Sequence, residues 1–477
     1  SISWPATRPT IAEVIMESNS TFVYEYGPLY ALRSNFYLLT PKETYVPDLK
    51  SSPNVIDTAV PIMLLFMAIE AIVMLAKGRT DWHLHQVVVN YSTGGLTESW
   101  KTFFFRGVEL QAYIWVFDNW CIYKLPWDSP YVYIIAALGV DFCVYIWHRA
   151  CHEISFMWAF HYPHHSAEEI NISVGTRVSL TMRLVKWVYF LPLALLGLPP
   201  ATMMIHVQLG LIVGNLYHCE LIPKLSKVIP GIGHVMEFIF NTPSHHRVHH
   251  GANKYCIDKN HGGWLIIWDR MFGTFQEEKE DEKITYGTIS QKPTYHIVFL
   301  QFVPMVELYN RIQSQATLGD KVRTFFYGPG WCPGDKHRLG DRDAIPDVRG
   351  RSFHEVKLPI WLSTYMVVHC FLVFFAYLEM VPRLNHVGTW LPLVTLFYIT
   401  LAYVSLGGLY DGSQYAIWLE PARLLTFLGL AYRFPMFASP TVLYYACWIK
   451  VTGLLLWPAV AIYTYKRGKL GKTSKVE

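Results

Sequence analysis

Long apolar runs separated by short polar turns set the first expectation for this chain. Residues 55–76 (VIDTAVPIMLLFMAIEAIVMLA) form one helix able to cross a hydrocarbon core of about 30 Å, and Lys77, Gly78 and Arg79 follow it directly. A second apolar stretch, 103–123, carries Arg106, Glu109 and Asp118, and a third runs from Tyr131 to Trp147 and stops at His148. PWDSP at 126–130 reads as the turn of a short hairpin between them. Residues 184–217 hold two apolar halves split by G-L-P-P at 197–200, each short for a full span, which predicts a tight helical hairpin or a re-entrant pair. A polar stretch follows from 241 to 357, and four further apolar segments, 358–381, 389–409, 417–432 and 443–465, precede a basic tail.

This pattern predicts an all-α polytopic membrane protein, a helical bundle with a histidine-rich cap. Its expected parts are an N-terminal segment 1–54, a catalytic membrane domain 55–310, a polar connector 311–357 and C-terminal membrane helices with the tail 358–477. Composition agrees: 52% of residues are hydrophobic and only 16% charged, against roughly 25% charged in soluble domains. A formal charge of +4 gives no case for a nucleic-acid partner. Eight cysteines stand singly without a C-x-x-C pair, which argues against a thiolate zinc site and a disulfide framework and fits a reducing, cytosol-facing site. Residues 1–54 lack the basic start and apolar core of a signal peptide.

The positive-inside rule orients the segments. With 1–54 lumenal, the first span delivers Lys77, Arg79 and Lys101 to the cytosol and the third delivers His148, Arg149, Arg177 and Arg183. Counting the split hairpin as two crossings predicts nine in all, with the tail cytosolic and the histidine clusters on one face. Of the sequons at Asn19 and Asn171, this topology permits glycosylation only at Asn19.

Nine histidines form three tight clusters beside those apolar segments: His148 and His152; His161, His164 and His165; His245, His246, His249 and His250. Imidazole beside lipid is costly unless a metal with several nitrogen ligands repays its desolvation. His148 and His152 are four apart at the end of a helix and share a face; H-Y-P-H-H adds three donors in a segment bent by Pro163, and His246, His249 and His250 repeat the spacing. Eight converging nitrogens exceed the needs of one tetrahedral ion, so two metals are the economical reading, with iron, zinc, copper and nickel as candidates. A cysteine-free set built to leave positions open for a small molecule such as O2 favours iron. Glu153 either orients a ligand ring or a proton path or stands as a solvated helix-end carboxylate, and Asp141 either accepts a hydrogen bond from a ligand histidine or has a snorkelled or packing role.

The pattern H148-x-x-x-H152, H161-x-x-H164-H165 and H246-x-x-H249-H250 resembles the fatty acid hydroxylase superfamily of membrane di-iron enzymes, which includes sterol desaturases and methylsterol oxidases. The segments LPWDSPYVYIIAALGVDFCVYIWHRACHE and NTPSHHRVHHGANKYCIDKNHGGWLIIWDRMFGTF, the GPGW motif at 328–331 and the C-terminal helices resemble more closely its glyceryl-ether-cleaving, tetrahydrobiopterin-dependent branch, over roughly 55–465. That resemblance implies two irons and tetrahydrobiopterin as cofactors, O2 and an ether lipid as reaction partners, and an active site on the cytosolic face of the endoplasmic reticulum membrane. The implied reaction hydroxylates the ether-linked carbon of a 1-O-alkylglycerol or lyso-ether lipid, and the hemiacetal collapses to a fatty aldehyde and a glycerol derivative. It matches eight histidines to the boxes, leaves His245 as a candidate ligand or a supporting residue, and offers His218 as a tenth candidate, against a plain helix-end histidine.

Other conspicuous residues read more simply. His83 and His85, two apart, suit a strand edge or loop; His206, His234 and His369 read as hydrogen-bonded interior histidines; His261 reads as a non-ligand. The run 277–283 reads as a solvated charged face, and 327–334 as a rigid turn or else a lid or pterin contact. No linear pterin motif is identifiable. Two other readings compete: a cytochrome b5-fed sterol or fatty acyl hydroxylase or desaturase, which shares the boxes without the C-terminal helices, and a membrane metal-binding or transport protein, which calls for ionisable residues spread along several spans.

Overall fold

In the computed structural model, residues 27–473 are described apart from 50, 79–82, 106, 293, 385, 386, 389, 435, 436 and 438. Asn19, Arg79 and Arg106 therefore lie outside the described residues. The chain divides into two compact units, one built on residues 26–97 and 105–356, the other on 98–104 and 357–477. Among the described residues the regular structure is helical, with two isolated β-bridges, Phe240 to Leu265 and Gly251 to Tyr286.

The larger unit begins with α1 (Pro28–Asn35), α2 (Val55–Ala76), α3 (Leu84–Trp100) and α4 (Val108–Trp120). It continues with α5 (Pro130–Glu153), α6 (Ser155–His165), α7 (Leu180–Lys186), α8 (Leu191–Leu195) and α9 (Pro200–Leu216). Local chemistry sets the ends: Asn54 caps α2 through a bond from the Asp57 amide, and Pro130 at the first position of α5 forgoes an amide that has no partner there. The apolar faces of α5 and α9 meet through Val140, Val132 and Met203, and a neighbouring core gathers Tyr37, Ala137, Ile205 and Leu209.

Short elements then carry the chain back over the end of α5: α10 (Leu225–Val228), α11 (Ile232–Ile239), α12 (Pro243–His250), α13 (Ile267–Met271), α14 (Ile297–Gln313) and α15 (Leu318–Phe326). The smaller unit holds α16 (Ile360–Met380), α17 (Trp390–Tyr410), α18 (Gln414–Arg433) and α19 (Pro440–Thr473).

Five described helices are long and apolar enough to cross a membrane: Val55–Ala76, Pro130–Glu153, Ile360–Arg383, Trp390–Tyr410 and Pro440–Gly468. The nine-crossing expectation is revised where the apolar runs break. In 103–123 the helix is only the 13 residues of α4, a rise of about 20 Å. In 184–195 the chain forms α7, a 3-10 turn at Trp187–Phe190 and α8, then turns at Gly197, whose φ of 82° favours glycine. His83 and His85 precede and open α3 rather than lining a strand.

Candidate metal centre

Two helix ends and one short helix bring the histidine clusters together. His148 and His152 occupy the last turns of α5, His161, His164 and His165 end α6, and α12 consists largely of the third box. Residues at i, i+3 and i+4 share a helix face, so each box presents its rings in one direction. The donors form two groups: His148, His152, His161, His165 and His249 in one, His164, His218, His246 and His250 in the other. Within each group the ligand atoms lie within 4.8 Å of one another, and all nine residues are buried.

Backbone carbonyls set the tautomers of several rings. His148 Nδ1 lies 3.0 Å from the His261 carbonyl, His164 Nδ1 3.2 Å from that of Arg177, His218 Nδ1 3.0 Å from that of Gly214, and His249 Nδ1 3.0 Å from that of Lys259. A carbonyl only accepts, so each Nδ1 donates and each neutral ring turns a bare Nε2 lone pair inward. His164 and His218 thus face each other Nε2 to Nε2 at 3.4 Å with no proton between them. Other close Nε2 pairs are His148 with His161 at 3.0 Å, His161 with His165 at 3.1 Å, and His218 with His246 at 2.9 Å, in none of which do carbonyls fix the tautomers of both rings. Nitrogens each about 2.1 Å from one ion stand about 3 Å apart when adjacent in its sphere. His152, His249 and His250 add buried Nε2 atoms without a hydrogen-bond partner. Facing lone pairs are repulsive alone and favourable around a shared cation, so the donor set fits two ions.

Burial adds to this by opposing imidazolium formation. It pushes the pKa of His218 down to about 4 and that of His249 to about 3, and it holds His161, His164, His165, His246 and His250 well below the ordinary imidazole value, with neighbouring histidines adding repulsion. The rings are therefore neutral, as metal ligation requires.

Of the ten candidate ligands, His245 falls outside both groups. One residue before His246, it is turned about 100° around α12; its Nδ1 lies 3.3 Å from Thr242 Oγ1 and its ring 5.4 Å from that of Phe275. Asp141 does not meet a histidine ring as one reading had it: it accepts from the Trp264 and Leu265 amides at 2.6 and 3.1 Å and from the Trp268 indole at 2.9 Å. That carboxylate holds the loop after the third box against α5. Glu153 is buried rather than solvated, tied to Arg149 at 2.8 Å and to Arg338.

Several supporting residues carried no signal in the sequence. Arg247, inside the third box, turns away from the rings to Glu278 at 2.7 Å and to the carbonyls of Cys219 and Ile222, so the charged run 277–283 is partly an anchor for α12. The Tyr327 carbonyl accepts from the Ser155 amide at 2.7 Å, fastening the 327–334 turn to the start of α6. His261 is fully buried, with its Nδ1 3.6 Å from Asp269 and its ring 5.1 Å from His152, outside both groups. His206 bonds Tyr37 at 2.7 Å, while His234 is exposed rather than interior.

A membrane-length helix that ends in a buried, cysteine-free centre with two groups of imidazole donors, each able to hold a metal ion, places the chain in the class of apolar helical proteins with a histidine-rich candidate metal centre. The fatty acid hydroxylase family model matches residues 133–274, which contain all nine converging histidines. The chain is 37% identical to the human alkylglycerol monooxygenase over 84% of this chain and 88% of that protein. It is 35% identical to those of Xenopus tropicalis and Danio rerio, over 84% of this chain and 87% of each. No solved structure matches the chain. The chain belongs to the alkylglycerol monooxygenase family, a branch of the fatty acid hydroxylases.

Proposed function

We propose that the protein is a tetrahydrobiopterin-dependent di-iron monooxygenase that hydroxylates the ether-linked carbon of 1-O-alkylglycerols and lyso-ether lipids, releasing a fatty aldehyde and a glycerol derivative. The observation that carries the metal centre is the pair of Nε2 lone pairs of His164 and His218 facing at 3.4 Å, with both Nδ1 atoms held by carbonyls. His148, His152, His161, His165 and His249 would hold one iron, and His164, His218, His246 and His250 the other. Bound there, the irons would supply O2 activation and oxidation of a C–H bond beside the ether oxygen. The protein's part is to keep the imidazoles neutral and oriented, to exclude water, and to hold the alkyl chain in register with the centre. Asp258, whose Oδ1 lies 3.9 Å from His152 Nδ1, and Glu153, between Arg149 and Arg338, brace the end of the first box. His245 supports α12 without ligating.

We place the centre on the cytosolic side of the endoplasmic reticulum membrane, where a soluble pterin reaches it. Asn171 is buried and donates to Glu169 at 2.9 Å, so its sequon has no room for a glycan in either orientation. The test assays purified protein with an alkylglycerol, O2 and tetrahydrobiopterin, in parallel with cytochrome b5 and its reductase. Pterin-dependent aldehyde release is expected; release that needs b5 and ignores pterin would replace this reading with that of a b5-fed hydroxylase.

A further inference from the structure

One short helix of the larger unit turns an apolar face outward. Ile232, Val235, Met236 and Ile239 of α11 recur at i, i+3, i+4 and i+7 and form one stripe. Ile232, Val235, Met236 and Phe238 are 65%, 60%, 38% and 59% exposed, and Met271 and Phe272 at the end of α13 are 67% and 46% exposed. The opposite side of α11 packs on α10: Gly233 is buried beside the Leu225 carbonyl, and Glu237, the one carboxylate of the helix, accepts from the Leu225 amide at 2.7 Å. The lysines of α10 and its approach are paired, Lys224 with Glu277 at 2.9 Å and Lys227 with Glu280 at 2.7 Å. Apart from His234 and the Arg270 guanidinium, the outward face offers only hydrocarbon, aromatic and thioether surface.

Contacts with α5 set the depth of this face. Phe240, just after α11, bridges to Leu265, and the Trp264 and Leu265 amides donate to Asp141 of α5 at 2.6 and 3.1 Å. The next residue of α5, Phe142, has its ring centroid 4.9 Å from that of Trp268 and 6.0 Å from that of Phe272. Phe142 continues the stripe of Ile134, Ile135 and Leu138, which are exposed on this membrane-length helix. The patch on α11 and α13 is thus continuous with the lipid-facing side of α5. Beyond Phe142 the first charge on that face of α5 is Arg149, about 10 Å further along the axis, which puts the edge of the hydrocarbon layer between them.

The end of α11 is satisfied without water. The Met236 carbonyl accepts from the Phe240 amide at 2.7 Å, those of Glu237 and Phe238 from Arg270 at 3.1 Å each, and that of Ile239 from the Ile266 amide at 3.0 Å. A helix end enters a water-poor layer only with its last carbonyls paired. The Arg270 guanidinium also covers the Phe238 and Phe275 rings at 4.8 and 3.6 Å, as a cation does at a lipid boundary.

We propose that α11 and the Met271–Phe272 corner lie in the plane of the membrane on the side of the metal centre, with their apolar side chains among the upper acyl chains. Eight residues rise only about 12 Å, so α11 seats on the leaflet and does not cross it. Residues 240–242 join it directly to α12, so this seat fixes the height of the third histidine box above the lipid. The occupant is the bilayer because the patch runs on from α5 and carries neither an ion pair nor a row of donors for a protein surface to match.

The test places a nitrobenzoxadiazole label at Ile232→Cys, Val235→Cys or Met271→Cys, with exposed Lys336→Cys as control. Each is made in full-length protein carrying Cys121→Ser, Cys332→Ser and Cys447→Ser, since the other cysteines are buried. In nanodiscs of phosphatidylcholine brominated on its acyl chains near the headgroup, emission from the α11 and Met271 positions falls about twofold or more against unbrominated lipid, and the control is unchanged. Two positions on α11 keep the test in hand if one variant does not fold, as judged by gel filtration and metal content. Full emission from α11 labels in brominated lipid would overturn the proposal, and a blue-shifted but unquenched signal there would put a second copy of the chain or another protein on this face instead. Quenching is read without turnover, so its outcome is separate from that of the proposed reaction.

Discussion

At the residue scale, the nine converging rings differ in what holds them, and that difference is testable. His218 completes a group of four, so His218→Ala is expected to remove one of the two ions and abolish turnover, whereas His245→Ala keeps both; metal analysis of the purified variants decides. The same burial predicts a pH dependence of the metal-free protein. His218 and His245 have folded pKa values of about 4 and His249 of about 3, below about 6.5 in the unfolded chain. Between those values the unfolded state binds more protons, so stability is fully present above about pH 6.5 and is lost as pH falls toward 4. A thermal midpoint that stays flat across that window would contradict the neutral-ring assignment. Residue identity and spacing made the boxes legible in the sequence. They could not make His245 legible, because a run of H-H-R-V-H-H does not say where the face of α12 ends, nor Asp141, whose partners lie over 120 positions away at Trp264, Leu265 and Trp268.

At the element scale, the turns matter as much as the helices. Gly197 combines a φ of 82° with a position where a Cβ would lie 1.7 Å from the Tyr123 carbonyl oxygen. Gly197→Ala therefore forces the α8 to α9 turn away from the chain after α4 and is expected to lower the thermal midpoint by several degrees, or to abolish folded yield, as read by size exclusion and calorimetry. Apolar length located α2, α5, α16, α17 and α19, but it overstated 417–432, which forms α18 with Glu420, Pro421 and Arg423 inside it and is not among the five membrane-length helices. It overstated 103–123 and 184–195, where the composition is apolar but the helix is short or broken, because hydropathy counts side chains and does not register where backbone hydrogen bonding stops.

At the scale of the whole molecule, the orientation proposed here makes the boxes and the 327–334 turn cytosolic. Cys332 is exposed on that turn, so a membrane-impermeant maleimide should label it in cells whose plasma membrane alone is permeabilised, with Cys332→Ser as the control. Labelling only after the endoplasmic reticulum is opened would reverse the topology. The sequence by itself determined the membrane class, the helical architecture, the three boxes and the family, because hydropathy and ligand spacing are local properties written in consecutive residues. Only the tertiary structure decided which histidines converge in each of the two groups, how carbonyls of Arg177, Gly214, Lys259 and His261 set their tautomers, and that Glu420, Arg423, Lys450 and His369 meet inside the C-terminal helices. Those relations join residues distant in the chain, and they exist only once packing removes the water that would otherwise satisfy each group separately.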